Sequence, residues 1–295
     1  MRLISGLILA AILGFGAFWA ITRPKSSDPA TFAALTGDPA RGEMVFWAGG
    51  CASCHAAPGA QGDDKLVLAG GLKIASDFGT FVVPNISPDP VHGIGQWTVT
   101  DLDSAMRHGT SPEGEHYYPA FPYTSYIHAT PQDVADLHAF LMTLPASDRT
   151  DEPHELGFPF NQRVLLGGWK FLNLSPDWVV EGTLSPTVER GRYLVEGLGH
   201  CGECHTPRNL IGGREMTQWL AGGPNPDGKG TIPNITPGAL DWSEDEIAEY
   251  LTSGFTPDYD SAGGQMADVV GNMSRLPPED RAAMAAYLKA VPSHP

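Results

Sequence analysis

The chain is poor in positive charge. Its 295 residues include 18 Lys and Arg against 34 Asp and Glu, which gives a formal charge of −16 at pH 7. A nucleic-acid groove needs clustered cations that neutralise phosphates, so binding of DNA or RNA is excluded. The 35 glycines and 26 prolines make up about a fifth of the chain, below the roughly 25–30% that marks low-complexity disorder. The composition predicts a folded, loop-rich chain of about two domains.

Charge is absent from one run near the start of the chain, Leu3 to Ile21. At a rise of 1.5 Å per residue, a helix of this length reaches about 28 Å, close to the thickness of a bilayer core. A cleaved secretory signal would end in a small-x-small site, and phenylalanines occupy the minus-three position of both candidate cleavage sites. We therefore expect residues 1–25 to be a retained N-terminal membrane anchor and residues 26–37 a tether. A cleaved signal peptide is the alternative.

Cysteine is scarce, and none of the four cysteines stands outside a motif. They lie in the pentapeptides Cys51-Ala52-Ser53-Cys54-His55 and Cys201-Gly202-Glu203-Cys204-His205, each of which is the attachment pattern of a c-type haem. Two thiols three positions apart can bond the two vinyl groups of one porphyrin, and the adjacent histidine can then bind the iron. Disulfides, dithiol redox pairs and zinc sites do not require that histidine twice. The sequence predicts two covalently bound haems c, with His55 and His205 as iron ligands.

The two motifs lie inside a repeat of about 150 residues, which indicates a duplicated domain. Each motif is followed by Leu-Ala-Gly-Gly, by Pro-Asn-Ile, by a short helix that ends at Gly109 or Gly254, and by a last amphipathic helix. The last helices are predicted over Thr130 to Leu144 and Leu276 to Val291. The first helix of each half carries a glycine, Gly42 or Gly191, that permits close approach to the aromatic residue at Phe140 or Tyr287.

The repeat predicts an all-α fold with domains at residues 38–146 and 186–295. Residues 147–185 form the linker between them. We expect this linker to pack on the domains, because Trp169, Phe171 and Leu172 need burial.

Each half resembles a class I cytochrome c, and the pair is similar to the cytochrome subunits of bacterial membrane-associated alcohol, gluconate and aldehyde-type dehydrogenases. Besides the haem motifs, the resemblance rests on Leu-Ala-Gly-Gly, Pro-Asn-Ile-Ser-Pro and the segment Tyr118-Pro119-Ala120-Phe121-Pro122-Tyr123. It implies two tandem class I domains that transfer electrons from a dehydrogenase toward quinone or a terminal oxidase. Many of those subunits carry three haems, whereas this chain has two motifs.

The sixth ligand of the second haem is predicted to be Met266. It lies twelve residues after Gly254, in a loop ahead of the last helix where class I cytochromes place their methionine. Met273 is the competing candidate for the ligand. The alternative for Met266 is a methionine that packs in the core and binds no iron.

The same count from Gly109 reaches Phe121, which cannot bind iron. Imidazole is the remaining strong ligand, and His116, in the same loop, is the favoured candidate. His128 and His92 are alternatives, as is an open five-coordinate iron behind Phe121.

The predicted function is that of a membrane-anchored dihaem cytochrome c on the periplasmic side of the bacterial inner membrane. It would relay single electrons from a dehydrogenase or another respiratory donor toward a cytochrome or oxidase, and it needs no catalytic residue. The alternative is a dihaem oxidoreductase whose first haem acts on a small substrate such as peroxide or a sulfur compound. A scaffold that holds a partner enzyme at the membrane is a third interpretation, but it does not explain two haems.

Overall fold

The computed structural model describes residues 2–225 and 230–295, and most of its regular structure is helical. The first part of the chain contains α1 (Arg2–Thr22), α2 (Pro39–Ala48), α3 (Cys51–His55), α4 (Val99–His108), α5 (Tyr123–Tyr126) and α6 (Pro131–Leu141). It is followed by α7 (Leu165–Asn173), α8 (Pro186–Arg192), α9 (Gly202–His205), α10 (Glu244–Ser253), α11 (Gln265–Met273) and α12 (Pro278–Ala290). Helix α8 continues directly into a π-helical segment, Tyr193–Leu198. Short 3₁₀ segments lie at Pro29–Phe32, Gly62–Leu66 and Met216–Gln218.

Within the described residues, two small antiparallel sheets interrupt the predicted all-α fold. One contains β1 (Lys73–Ser76), β2 (Gly79–Val82) and β3 (Glu155–Leu156), and the other contains β4 (Gly223–Pro224) and β5 (Thr231–Ile232). In the first sheet Lys73 pairs with Val82, and Gly79 pairs with Leu156. The strands lie in the glycine-rich and proline-rich loops and in the linker, where the sequence predicted irregular structure.

Local sequence determines where several helices begin and end. Asp38 is the N-cap of α2, with its carboxylate accepting a hydrogen bond from the Ala40 amide at 2.9 Å and Pro39 at the first helical position. Helices α4 and α10 each begin with a reciprocal capping box. Both end at a left-handed glycine, Gly109 or Gly254, as predicted.

The helix crossings in the two halves use the predicted glycines. A Cβ atom built on Gly42 of α2 would lie 1.9 Å from the carbonyl oxygen of Asp136 in α6 and 2.8 Å from Cβ of Phe140. In the second half, a Cβ atom on Gly191 would lie 1.9 Å from a carbonyl oxygen of α12 and 2.7 Å from Cβ of Tyr287. Only glycine permits backbones to approach this closely, so the predicted contacts are confirmed.

The linker packs on the first half, in part as expected. Strand β3 extends the first sheet, and the Asn85 side-chain amide donates to the carbonyl oxygens of Ser147 and Arg149 at 2.8 and 2.9 Å. The expectation of burial is wrong for Phe171 and Leu172, which are 67% and 69% exposed. The linker therefore presents an apolar surface.

Helix α1 projects from the rest of the fold, with its described side chains exposed except near its end. Residues Ile4–Thr22 have a mean hydropathy of 2.2. By length and composition alone, this segment of the helix could cross a membrane. Its last residue, Thr22, is buried against α7, where a Cβ atom on Gly167 would lie 2.2 Å from the Thr22 carbonyl oxygen. The end of α1 is thereby fixed to the folded part.

Candidate haem-binding sites

Each pentapeptide forms one short helix, α3 or α9, that follows a tight turn in the left-handed region. Gly50 precedes α3 with φ of 64°, and His200 takes the corresponding place before the second motif with φ of 41°. No disulfide joins the four cysteines, all of which lie within the described residues. Burial raises the pKa of Cys51 and of Cys201 to about 12, so these thiols are protonated before attachment.

The two motif histidines are held in the tautomer that an iron ligand needs. The Nδ1 atom of His55 lies 2.9 Å from the Pro84 carbonyl oxygen, and Nδ1 of His205 lies 2.8 Å from the Pro233 carbonyl oxygen. Because a carbonyl can only accept, Nδ1 carries the proton in each ring, and Nε2 keeps its lone pair. Burial lowers the pKa of His55 to about 4 and lowers that of His205. Both rings are therefore neutral at pH 7 and fit the iron of a haem.

The repeated Leu-Ala-Gly-Gly segments place those carbonyls. The amide of Gly70 donates to the His55 carbonyl oxygen, and the amide of Gly222 donates to that of His205, both at 2.7 Å. Gly70 has φ of 68°, and a Cβ atom there would lie 2.5 Å from the backbone of Pro84. The glycine thus brings the Pro-Asn-Ile segment beside the histidine that it orients.

Equivalent backbone turns support the correspondence between Phe121 and Met266. An isolated β-bridge joins Thr110 to His116 in the first half, and another joins Phe255 to Ser261 in the second. Phe121 and Met266 each follow the second partner of their bridge by five residues. The two ligand loops therefore begin with the same turn.

Met266 and Met273 occupy different environments in α11. Met273 is buried in the core, whereas Met266 lies in the first helical turn, is partly exposed and packs at the edge of the core. Of these two methionines, Met266 is the one whose side chain is not fully enclosed by protein.

Phe121 belongs to an aromatic cluster beside the first motif. Its ring centroid lies 6.0 Å from that of Tyr117 and 5.6 Å from that of Tyr126. The Tyr126 hydroxyl donates to the carbonyl oxygen of Gly49, just before the first motif, at 2.5 Å. Burial raises the pKa of Tyr126 well above its ordinary value, and the neighbouring Cys51 and Cys54 raise it further. An apolar ring therefore stands where the second half has its methionine.

The structure places His116, the predicted sixth ligand of the first haem, between the end of α1 and α7. Its Nε2 atom donates to the Thr22 carbonyl oxygen at 2.8 Å, so its Nδ1 atom accepts from the Lys170 ammonium group, 3.0 Å away. Burial, followed by the charge of Lys170, lowers the pKa of His116. Neither ring nitrogen is free for iron, because the side chain joins the end of α1 to α7.

The two alternative histidines also have other neighbours. The ring of His128 stacks on Trp178 of the linker with centroids 3.9 Å apart, and burial lowers its pKa to about 4. Nδ1 of His92 lies 3.3 Å from a carboxylate oxygen of Asp89 in the loop before α4. Both alternative histidines therefore have neighbours of their own within the protein.

Sequence reasoning missed a reciprocal contact between the halves. The residue before the second cysteine of each motif bonds the helix that follows the ligand loop of the other half. Ser53 accepts from the Asn272 amide of α11 at 2.7 Å, and Glu203 accepts from the Thr124 hydroxyl of α5 at 2.6 Å. This reciprocity brings Cys204 close enough to Cys54 to help raise the pKa of the Cys54 thiol, after the larger effect of burial. The two attachment motifs therefore face each other across the contact between the halves.

Glu203 is the main charged group of this contact. Its carboxylate also meets Arg208 at 2.6 Å and Arg214 at 3.4 Å. Burial alone would raise the pKa of Glu203, but the two guanidinium groups and the Thr124 hydroxyl outweigh it and hold the pKa at about 2. Arg214 in turn donates to the Thr124 carbonyl oxygen at 3.1 Å, so the ion pair stabilises the juxtaposition of the two halves.

Comparison with known proteins finds haem-binding relatives. Residues 39–145 match the family model described as Cytochrome c. A protein described as Diheme cytochrome c-type from Cereibacter sphaeroides is 71% identical over 291 residues, which cover 99% of this chain and 98% of the relative.

Two further relatives are subunits of larger proteins. The fructose dehydrogenase cytochrome subunit of Gluconobacter japonicus is 36% identical and covers 92% of this chain, and the gluconate 2-dehydrogenase cytochrome c subunit of Pantoea cypripedii is 34% identical and covers 96%. The chain spans 56% and 64% of the lengths of these two subunits.

Proposed function

Since the chain belongs to the dihaem cytochromes c and holds two covalently bound haems, we propose that it is a membrane-anchored relay between a dehydrogenase and a terminal acceptor. When bound, the haems supply one-electron oxidation and reduction at iron. The observation that carries the proposal is the reciprocal contact between the motifs, made by Ser53 with α11 and by Glu203 with α5. An electron carrier with two centres benefits from a rigid arrangement of this kind, because the attachment sites face each other.

The proposed attachment and ligand residues follow from the geometry of each half. Cys51 and Cys54 hold the first haem and Cys201 and Cys204 the second. His55 and His205 are the proximal ligands, each oriented by a proline carbonyl 2.9 or 2.8 Å away. We assign Met266 as the sixth ligand in the second half. A duplicated class I domain is supported by the repeated glycine crossings, capping boxes and β-bridges.

The proposed partner is a dehydrogenase whose electrons leave through this chain to a cytochrome or oxidase. The support is the similarity to cytochrome subunits of fructose and gluconate dehydrogenases. The oxidoreductase alternative rests on Phe121 in the methionine position, but it also needs a distal acid or base. His116, the group suited to that role, donates to Thr22 and accepts from Lys170. The structure therefore favours the relay.

The proposed location is the periplasmic face of the inner membrane, with α1 as the anchor. The apolar length of α1 supports it, as does the interfacial pair at its end, where the Arg23 guanidinium lies 5.8 Å from the ring centroid of Trp19.

The test compares washed membranes of the native host with and without this chain. We expect deletion to abolish respiration on one class of sugar, sugar acid or alcohol, while respiration on succinate and NADH remains. Wild-type chain should restore the lost activity, and the matched variant Cys201→Ala/Cys204→Ala should not. Unchanged respiration on all such substrates would contradict the proposed dehydrogenase partner.

A further inference from the structure

Helix α7 exposes its apolar face. Four apolar side chains on one face are more than half exposed: Val164, directly before the helix, and Leu165, Phe171 and Leu172 within it. Gly167 and Lys170, on the other face, are buried. These exposed positions recur at the spacing of one helical face. A helix in contact with water would carry polar residues there, so this face lacks the partner that its composition requires.

The buried face prevents α7 from rotating to hide these side chains. The Lys170 ammonium group donates to the carbonyl oxygens of His108 and Gly109, at 2.8 and 2.6 Å, at the end of α4. Gly167 fits against Thr22 with no room for a larger side chain. The orientation of α7 is therefore fixed by packing and hydrogen bonds.

The apolar surface continues beyond α7. The Trp169 indole donates to the Ile211 carbonyl oxygen at 2.8 Å. The ring of Phe160 lies 5.0 Å from that of Phe78, which also contacts Gly212. We call the exposed side chains of this surface the apolar belt; they are Phe160, Val164, Leu165, Phe171, Leu172 and Ile211.

Helix α7, which carries most of the apolar belt, lies beside the end of α1. Gly167 on the inner face of α7 touches Thr22, the last residue of the apolar helix, and the Arg23 and Trp19 pair is typical of a membrane interface. A helix placed at this point meets the headgroup region when α1 spans the bilayer. An exposed apolar face is the feature by which a helix lies in that region.

We propose that α7 and the apolar belt lie in the interface of the phospholipid bilayer, as a second membrane contact beside α1. This inference rests on the membrane anchor of the proposed function. The contact holds the folded part against the membrane surface, so the chain is not free to swing on the tether. The occupant is lipid because α7, which carries most of the belt, packs against the end of the proposed span.

The test uses the full-length haem-loaded chain, one copy per nanodisc of phosphatidylcholine and phosphatidylglycerol. The four native thiols are consumed by haem attachment, so a cysteine introduced by Leu172→Cys is the single reactive thiol. The matched control is Tyr259→Cys, at a position 94% exposed in the second half. We expect a charged maleimide to label residue 172 at least tenfold more slowly than residue 259. A second variant, Phe171→Cys, should behave like Leu172→Cys, and an unchanged absorbance spectrum shows that each variant is folded.

Equal labelling rates on a chain that remains in the disc would overturn the interfacial contact and leave the anchor intact. Release of the chain from the disc would contradict both the anchor and the contact. Because the disc contains one copy and no dehydrogenase, slow labelling at residue 172 excludes a second copy or a partner enzyme as the source of protection.

Discussion

At the scale of single residues, the two halves differ most in their ligand loops. Met266 stands at the edge of the core, and Phe121 stands at the equivalent place within an aromatic cluster. A thioether favours ferrous iron and raises the reduction potential, whereas a phenyl ring cannot bind iron. The two centres are therefore expected to have different potentials and different access for small ligands.

Replacing Met266 by alanine tests its assignment. The variant should lose the near-infrared charge-transfer band of a histidine–methionine haem, lower the potential of one haem, and bind carbon monoxide there. Absorbance spectroscopy and a redox titration measure these changes. The matched control, Met273→Leu, changes a buried core position of similar volume and should leave the band in place. Loss of the band in the control alone would transfer the assignment to Met273.

The variant His116→Gln tests whether His116 binds the iron of the first haem. Because His116 accepts from Lys170 and donates to Thr22, we expect the spectra of both haems to remain unchanged. The free energy of unfolding should fall by about 1–2 kcal/mol, since a buried ammonium group loses part of its hydrogen bonding. Denaturant unfolding and carbon monoxide binding provide the two measurements. New high-spin absorbance in the variant would restore His116 as the ligand of the first haem.

At the scale of helices and strands, the close helix crossings limit which substitutions the fold tolerates at Gly42 and Gly191. In Gly42→Ala or Gly191→Ala, the new methyl group would lie 1.9 Å from a carbonyl oxygen. The helices must move apart, and we expect a loss of about 1–3 kcal/mol in the free energy of unfolding. Gly271→Ala in α11 is the matched control, because nothing lies within 4 Å of its new methyl group. The control should gain about 0.5–1 kcal/mol from helix propensity.

Features set by nearby residues could be predicted from the sequence. Asp38 and Pro39 define the start of α2, and Gly109 and Gly254 end their helices, because caps depend on neighbouring residues. The sheet could not be predicted, because β3 comes from the linker and pairs with β2 across a long stretch of sequence.

The position of His116 and the exposure of Phe171 also escaped prediction. The His116 ring is placed by Thr22 and Lys170, which are distant in sequence. Phe171 was expected to be buried because an apolar side chain in a soluble protein is covered by other protein residues. A helix beside a proposed membrane span can instead be covered by lipid.

At the scale of the whole molecule, the halves are joined through the haem motifs themselves. Ser53 and Glu203 occupy the same position in their pentapeptides, and each bonds the other half. A change in how the halves pack must therefore also move the attachment helices. We therefore expect the contact between the halves to influence electron transfer between the two haems.

The double variant Ser53→Ala/Thr124→Val removes one hydrogen bond from each side of this contact while keeping all cysteines and histidines. It leaves the Asn272 amide without its acceptor and Glu203 without its shortest hydroxyl donor. Each loss should cost about 1–3 kcal/mol, because the partner groups are partly buried. We expect one cooperative thermal transition in the wild type and two in the variant, measured by calorimetry.

After rapid mixing with less than one equivalent of reductant, electrons should redistribute between the haems more slowly in the variant. Thr100→Val, at a half-buried position in the first turn of α4, alters neither of these two hydrogen bonds. It is the control and should leave both measurements unchanged. A variant with wild-type cooperativity and wild-type redistribution would show that the two motifs are held together by other contacts.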